Sequence, residues 1–133
     1  MALTHVYTIL CDEVRVENNG KFIILGVYTP NILVPQIPFL LSSLTFFQAF
    51  NSDRAGHFPF RSRLQHLETG RDLSHAMGVI QMAQPGMVVS AIRFGNITLD
   101  RVGSYNYLMN IDGQADPIVH NFEVVLQVVQ PQA

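Results

Sequence analysis

Five histidines are the residues of this sequence best suited to chemistry, because imidazole is the commonest metal ligand in proteins. They are His5, His57, His66, His75 and His120. None forms the H-x-H or H-x-x-x-H pair that places two imidazoles side by side, and no carboxylate stands at ligand spacing. The even step from His57 to His66 to His75 could bring two of them together across a hairpin. Apart from that step, the sequence favours no metal site.

Cys11 is the single cysteine, so it is the one thiol that could act as a nucleophile. A reactive thiol needs a lowered pKa, whereas the neighbouring Asp12 and Glu13 would raise it. We therefore predict a buried, structural cysteine. One cysteine excludes an internal disulfide and fits a reducing compartment. The first eleven residues carry no Lys or Arg and no small-residue cleavage site, so we expect no signal peptide and a cytoplasmic protein.

The densest charge cluster lies at the first predicted turn and comprises Asp12, Glu13, Arg15, Glu17 and Lys21. Arg15 and Lys21 flank the turn, near enough for cross-strand pairs with Glu17 and Glu13. A salt-bridged hairpin edge that resists aggregation is one interpretation. The other is a polar recognition surface, for which Asp12, Glu13, Arg15 and Lys21 are the candidate interaction residues.

Four arginines in the middle of the chain could meet phosphate or carboxylate groups: Arg54, Arg61, Arg63 and Arg71. No aromatic residues alternate with them on the same face, as a nucleic-acid surface requires. The formal net charge of −2 also provides no basic footprint. The sequence has no P-loop, no G-x-G-x-x-G and no nucleophile elbow. We therefore predict no catalytic residue, no cofactor and no nucleic-acid partner.

Short runs rich in β-branched and aromatic residues, separated by Gly, Pro, Asn and Asp, predict strands along the chain. The first run, about Thr4 to Glu17, ends at Asn18-Asn19-Gly20, and Lys21 to Thr29 follows. Asn-Gly between two such runs is a strong hairpin signal because both residues tolerate positive φ. Phe22–Val27 is apolar on both faces, and we therefore expect it in the centre of a sheet.

The middle of the chain is less regular. The prolines between Pro30 and Pro38 predict an irregular crossing, since proline donates no hydrogen bond to a ladder. Leu40–Phe50 is apolar, and its serines, threonine and aromatic residues favour a strand, although a helix stays possible. Phe58–Leu67 alternates between apolar and polar residues, which predicts a half-solvated strand. Leu73–Met82 is expected to pair back against it, and Met87–Phe94 is predicted as a further strand.

Two antiparallel strands are predicted to close the chain. The first places Tyr105, Tyr107, Met109 and Ile111 on one face. After a turn at Asp112-Gly113, Val119–Val129 returns as the second strand. In total, about seven to nine strands at regular spacing predict an all-β fold, a single antiparallel β-sandwich that covers residues 1–133.

The segment Asp100-Arg101-Val102-Gly103-Ser104-Tyr105-Asn106-Tyr107 resembles the penultimate strand of immunoglobulin-like domains, D-x-G-x-Y-x-C. Tyr105 would then occupy the tyrosine-corner position, where its hydroxyl ties the strand to the preceding loop. The chain departs from this pattern: one extra residue precedes Gly103, Tyr107 replaces the cysteine, and no tryptophan is present. The resemblance implies an immunoglobulin-like architecture and carries no activity with it.

A second resemblance lies in Cys11-Asp12-Glu13-Val14-Arg15-Val16-Glu17 and the following Gly20-Lys21-Phe22-Ile23-Ile24-Leu25-Gly26-Val27-Tyr28. These runs are similar to the opening of a family of small, uncharacterised bacterial proteins, which begin C-D-D/E-V-R-x-E and continue, after a short turn, with a G-K-hydrophobic-G-x-Y hairpin. The resemblance implies a bacterial β-sandwich without an assigned activity.

Hydrophobic residues make up 48% of the chain and charged residues only 14%, and two stretches, Phe22–Ser52 and Leu73–Ile92, carry no formal charge. Proline and polar residues interrupt both, so neither is expected to span a membrane. We expect them to form central strands or a surface that a partner covers. This favours a non-enzymatic interaction or assembly module, a homo-oligomer or a binder of another protein. The alternatives are a small-ligand-binding protein or metal-dependent enzyme with a loop or inter-sheet pocket, and a virion or secretion-apparatus component.

Overall fold

A computed structural model of the chain describes residues 2–29 and 31–127. These residues form two curled β-sheets and no helix, so the all-β prediction is confirmed. No helix that could cross a membrane occurs among them. Their strands are β1 (Leu3–Val16), β2 (Phe22–Val27), β3 (Asn31–Val34), β4 (Phe39–Ser52), β5 (Gly56–His66), β6 (Asp72–Met82), β7 (Gly86–Leu99), β8 (Gly103–Ile111) and β9 (Ile118–Leu126). The first sheet has the order β2-β1-β4-β7, and the second has the order β3-β9-β8-β5-β6.

The core lies between the two sheets, and β4 supplies much of it from the centre of the first sheet. The strand prediction for Leu40–Phe50 is therefore confirmed. Phe46 of β4 stacks on Tyr107 of β8, with ring centroids 4.0 Å apart, so it joins one sheet to the other. Aromatic pairs in this offset geometry stabilise a core beyond the area they bury.

The alternating patterns of the second sheet are also confirmed. Residues Phe60, Ser62, Leu64 and His66 of β5 are buried, and their neighbours point outward. Tyr105, Tyr107, Met109 and Ile111 of β8 are likewise buried. The predicted closing strand Val119–Val129 corresponds to β9, although Val128 and Val129 lie outside the described residues.

The expectation that Phe22–Val27 lies in the centre of a sheet is wrong, because β2 is an edge strand. The reason lies in β1, which pairs with β4 as far as Cys11 and with β2 from Cys11 onward. At this change of partner the ladder is interrupted beside Gly26, whose φ is +66°. The second half of β1 thus separates from β4, and β2 pairs only with this half of β1.

The irregular crossing expected between Pro30 and Pro38 is also wrong in part, because Asn31–Val34 forms the strand β3. It pairs in parallel with β9, with Ile32 opposite Val124, so the predicted sandwich is not wholly antiparallel. In the sequence, Pro30 and Pro35 stand directly before and after Asn31–Val34. Neither proline therefore removes an amide hydrogen-bond donor from this short edge strand.

The uncharged stretches form fewer central strands than expected. The four strands at the sheet edges, β2, β3, β6 and β7, all lie wholly or partly in Phe22–Ser52 or Leu73–Ile92, and only β4 is central. An absence of charge thus marks the exposed edges as well as the core, and sequence alone cannot separate these two causes.

Candidate interaction surface

The hairpin formed by residues 12–27 projects from the first sheet, and we call it the arm. Its tip folds locally: the Glu17 amide donates to the Lys21 carbonyl at 2.8 Å, and the Gly20 amide donates to the Glu17 carbonyl at 3.0 Å. Gly20 has a φ of +82°, a conformation that glycine adopts without strain. The Asn18-Asn19-Gly20 hairpin prediction is therefore confirmed, and the turn fixes the register of the arm.

The Glu17–Lys21 hydrogen bond also determines which main-chain groups of β2 are free. Hydrogen-bonded pairs alternate along an antiparallel ladder, so Arg15–Ile23 and Glu13–Leu25 are hydrogen-bonded pairs as well. The amide and carbonyl groups of Phe22 and Ile24, which lie between these pairs, point away from β1. No described strand pairs with that side of β2. The arm therefore presents an open row of donors and acceptors.

The arm bends back over the first sheet. The ring of Phe22 lies 5.2 Å from that of Phe47 on β4. Their partners on β1, Val16 and Ile9, would be about 23 Å apart on a straight strand. This bend brings Phe22 against the sheet, although the side chain stays 39% exposed, and Ile23, Leu25 and Val27 on the opposite face are exposed as well.

Apolar exposure on β2 is high for an edge strand. Leu25 is 38% exposed and Val27 is 56% exposed, and the strand carries no charge of its own. Charged side chains are a common protection of sheet edges against association. Because β2 lacks them, the arm combines an open edge with exposed apolar side chains.

The structure brings two of the predicted interaction residues together. Arg15 and Glu13 lie 3.5 Å apart on the outer face of β1. Asp12 instead accepts a hydrogen bond from the Tyr28 hydroxyl, and its main-chain oxygen accepts one from Ser43 at 2.7 Å. Burial of Tyr28, reinforced by this carboxylate, raises the pKa of its phenol.

Lys21 stands at the tip of the arm, where its amide donates to Asn19 at 3.1 Å. The predicted cross-strand ion pairs are not formed within residues 2–29 and 31–127. The register places Ile23 opposite Arg15 and Leu25 opposite Glu13. Arg15 and Glu13 therefore face apolar residues across the ladder, and each has the other as its charged neighbour on β1.

His57, His66 and His75 do not converge. His66 is buried, with Nδ1 3.0 Å from the Thr69 hydroxyl and Nε2 3.2 Å from the Val102 carbonyl oxygen, so both ring nitrogens have local partners. His57 lies at the other end of β5, about 30 Å along the strand. His75 is exposed on the face of the sheet opposite to His66. The residues that the structure describes contain no group of three metal-ligating side chains.

A chain of hydrogen-bonded polar side chains runs from the buried Ser62, Tyr107 and Gln48 to the exposed His5, and no motif in the sequence predicts it. The Tyr107 hydroxyl donates to Gln48 Oε1 at 2.8 Å and lies 3.0 Å from the Ser62 hydroxyl. Gln48 in turn donates to the Thr8 hydroxyl, which lies 2.7 Å from His5 Nε2. A glutamine within the apolar run Leu44–Phe50 was the one available signal.

At Thr8 this polar chain reaches a cleft of about 360 Å³, which is lined by residues of β1 and β9 and by the residues around the end of β2. Thr8, Leu10, Tyr28 and His120 are among the residues that line it. Burial lowers the pKa of His120, and the neighbouring His5 lowers it further. A pocket between the sheets, the alternative kept open from the sequence, would lie here.

Three of the four central arginines lie in ion pairs. Arg54 is 2.8 Å from Asp53, and Arg71 is 2.8 Å from Asp100. Arg63 lies 3.7 Å from a carboxylate on β6. The guanidinium groups are therefore distributed among separate partners.

Tyr105 holds β8 to the loop before it. Its hydroxyl donates to the Arg101 carbonyl oxygen at 2.6 Å, and its ring is fully buried between Phe122 and His66. Burial raises the pKa of this phenol, and the nearby Asp100 carboxylate adds to the effect.

Strand order and the exposed arm define the chain as an all-β domain with an open apolar edge. The chain matches a family of unknown function, DUF6941, over residues 6–124, and it belongs to this family. No curated protein matches it. Membership of an uncharacterised family, which the resemblance in the sequence implied, is thereby confirmed, and the match assigns no activity.

The solved structures that match this chain include parts of larger enzymes. A β-glucosidase from Erythrobacter marinus aligns with 93% of this chain and 15% of its own, at 10% identity and a TM-score of 0.52. A Listeria innocua β-glucosidase in complex with glucose covers 71% of this chain and 14% of its own, at 13% identity and a TM-score of 0.45. The Pseudomonas fluorescens alkylpurine DNA glycosylase AlkC, bound to DNA, aligns with 88% of this chain and 30% of its own, at 8% identity and a TM-score of 0.44. This chain thus spans less than a third of each, and the likeness to the Erythrobacter marinus enzyme, the one of the three with a TM-score above 0.5, concerns fold alone.

Proposed function

We propose that the protein is a non-enzymatic assembly module, in which a second copy binds to the free edge of the arm. The observation that carries the proposal is the open edge of β2, uncharged and lined by exposed apolar residues. Ile23 and Leu25 lose contact with water when another strand pairs beside them, which stabilises the complex by about 25 cal/mol for each Å² of apolar surface.

Charge distribution favours a second copy over an unrelated partner. Two β2 strands that pair antiparallel about a twofold axis bring no like charges face to face, because Phe22–Val27 has none. The charged residues of the arm are of both signs and lie on β1 and at the tip. Assembly from identical copies is also what a virion or secretion-apparatus component would need, and we keep that alternative within the proposal.

We also propose that the two sheets form an immunoglobulin-like sandwich. Support comes from the strand order, in which β4 pairs with β7, β5 with β8, and β9 with both β8 and the parallel β3. The hydrogen bond from Tyr105 to Arg101 has the form expected of a tyrosine corner. This architecture leaves the arm as an addition to the edge of one sheet.

Size-exclusion chromatography with light scattering tests self-association. We expect a species of twice the 14.9 kDa chain mass at micromolar concentration. Leu25→Lys should shift it to the monomer, because a lysine replaces an apolar contact at the covered face. Val119→Lys is the matched control, since Val119 is a strand residue that is 51% exposed on the other sheet. If the protein stays monomeric up to about 1 mM, its dissociation constant is too high for a stable complex, and the proposal is contradicted.

A further inference from the structure

We infer that the two copies join β2 to β2 in a single register, in which Phe22 lies opposite Ile24 of the second copy and Lys21 meets Glu13 of the second copy. This inference rests on the proposed function and specifies its partner contacts. It follows from the direction of the free main-chain groups and from the position of the charges.

The main chain selects the register. Phe22 and Ile24 are the residues of the regular part of β2 whose amide and carbonyl groups point to the free edge. Antiparallel strands form hydrogen bonds between residues of this kind on both sides. Pairing Phe22 with Ile24 satisfies both residues in each copy, and the twofold axis then passes between the two Ile23 residues.

Other registers use fewer of these groups. Placing Ile24 opposite Ile24 would put Phe22 opposite Gly26, where the positive φ interrupts the strand. A register shifted by one residue would place the outward-pointing amide and carbonyl groups of one copy opposite residues of the second copy whose amide and carbonyl groups point to its own β1. The Phe22–Ile24 register is therefore the one that fits the structure of β2.

The charges fit the same register. Lys21 falls opposite Leu25 of the second copy, and Leu25 is paired with Glu13 on the next strand. Lys21, Leu25 and Glu13 then form one row on one face, with Lys21 and Glu13 two strand spacings, about 9.6 Å, apart at the backbone. The two long side chains bridge that distance across Leu25. Within the described part of the chain, Lys21 has no ion pair, and the 3.5 Å contact of Glu13 with Arg15 is a long one.

Charge reversal tests the ion pair. Lys21→Glu and Glu13→Lys should each weaken dimerisation about tenfold, since the twofold axis converts two attractive contacts into two repulsive ones. The double variant K21E/E13K should restore the dissociation constant to within about threefold of the wild type. Sedimentation equilibrium at low ionic strength measures all four proteins. If the double variant is no tighter than the single variants, the ion pair is refuted.

A cross-link tests the register separately. Ile23→Cys places two thiols opposite each other in a non-hydrogen-bonded pair, with Cα atoms about 4.5 Å apart, which a disulfide can bridge. Mild oxidation should give a covalent dimer, whereas the control Val27→Cys should not. The native thiol of Cys11 is buried and does not compete.

The outcomes separate the two ideas. Leu25→Lys could disrupt the dimer while Ile23→Cys forms no disulfide and the charge reversals leave dimerisation unchanged. That result would retain the proposed function and overturn this register. A protein that never dimerises would overturn both. An efficient Ile23→Cys disulfide together with rescue by the double variant supports both.

Discussion

Replacing Tyr107 with phenylalanine should destabilise the protein by removing one oxygen from the centre of the buried polar chain. The hydroxyl donates to Gln48 and lies within hydrogen-bond distance of Ser62, and all three residues are buried. The aromatic ring stays, so its stacking on Phe46 at 4.0 Å is retained. The change therefore isolates the hydrogen bonds from the packing.

The magnitude follows from the groups that are left without partners. Gln48 Oε1 loses its donor in a place that water does not reach, and a buried unsatisfied acceptor costs about 1–3 kcal/mol. The Ser62 hydroxyl loses its neighbour as well. We expect a loss of about 2–3 kcal/mol in the free energy of unfolding, a large part of the ~5–15 kcal/mol typical of a domain.

Urea unfolding followed by circular dichroism measures this loss, with the slope of the transition unchanged. Tyr7→Phe is the control, because Tyr7 is 41% exposed whereas Tyr107 is fully buried. Adding Gln48→Leu to Tyr107→Phe should recover part of the stability, since the orphaned Gln48 acceptor is removed and only the Ser62 hydroxyl stays without its former partner. If Tyr107→Phe unfolds within about 0.5 kcal/mol of the wild type, the buried chain does not contribute as argued.

Three further changes probe the arm, the cleft and the thiol. Gly26→Ala should cost about 1–2 kcal/mol in urea unfolding and weaken dimerisation, because the residue has positive φ and a Cβ would overlap the Asp12 carboxylate; unchanged values would mean that the junction of the arm adapts. Burial lowers the pKa of His120, so the unfolded chain takes up a proton more readily. Stability should consequently fall as pH drops below the unfolded value of about 6.5; His120→Gln should flatten this slope between pH 7.5 and 5, whereas the control His57→Gln should keep it. Burial, with Asp12 next to it, raises the pKa of Cys11; iodoacetamide should label the folded protein more than about tenfold slower than the urea-unfolded protein, and equal rates would contradict a buried thiol.

Strand patterns near the C-terminus were predictable because each strand has one face towards the core and one face towards solvent. Residues Tyr105, Tyr107, Met109 and Ile111 alternate with Ser104, Asn106, Leu108 and Asn110, of which all but Leu108 are polar, and this period of two admits one arrangement against the core. Phe22–Val27 has no such alternation. Its uninterrupted apolarity predicts a central strand, and the structure places it at an edge, since burial on both faces and exposure to a partner leave the same pattern in the sequence.

The candidate site was predictable only in its position along the chain. The charge cluster around Glu13 and Lys21 lies on the arm that we propose as the interaction surface, but the pairing of those charges depends on the register that the turn sets. The polar chain through Gln48 was not predictable, because Thr8, Ser62 and Tyr107 come from three other strands and meet only when the two sheets pack.

Alternation and turn residues in the sequence determined by themselves that this protein is all-β, where most strands begin and end, and which faces are buried, because those signals act between neighbouring residues. Tertiary structure alone decided which strands became edges, where the arm leaves its sheet and which polar groups meet in the core. Those outcomes depend on contacts between segments far apart in the chain, and no local pattern records them.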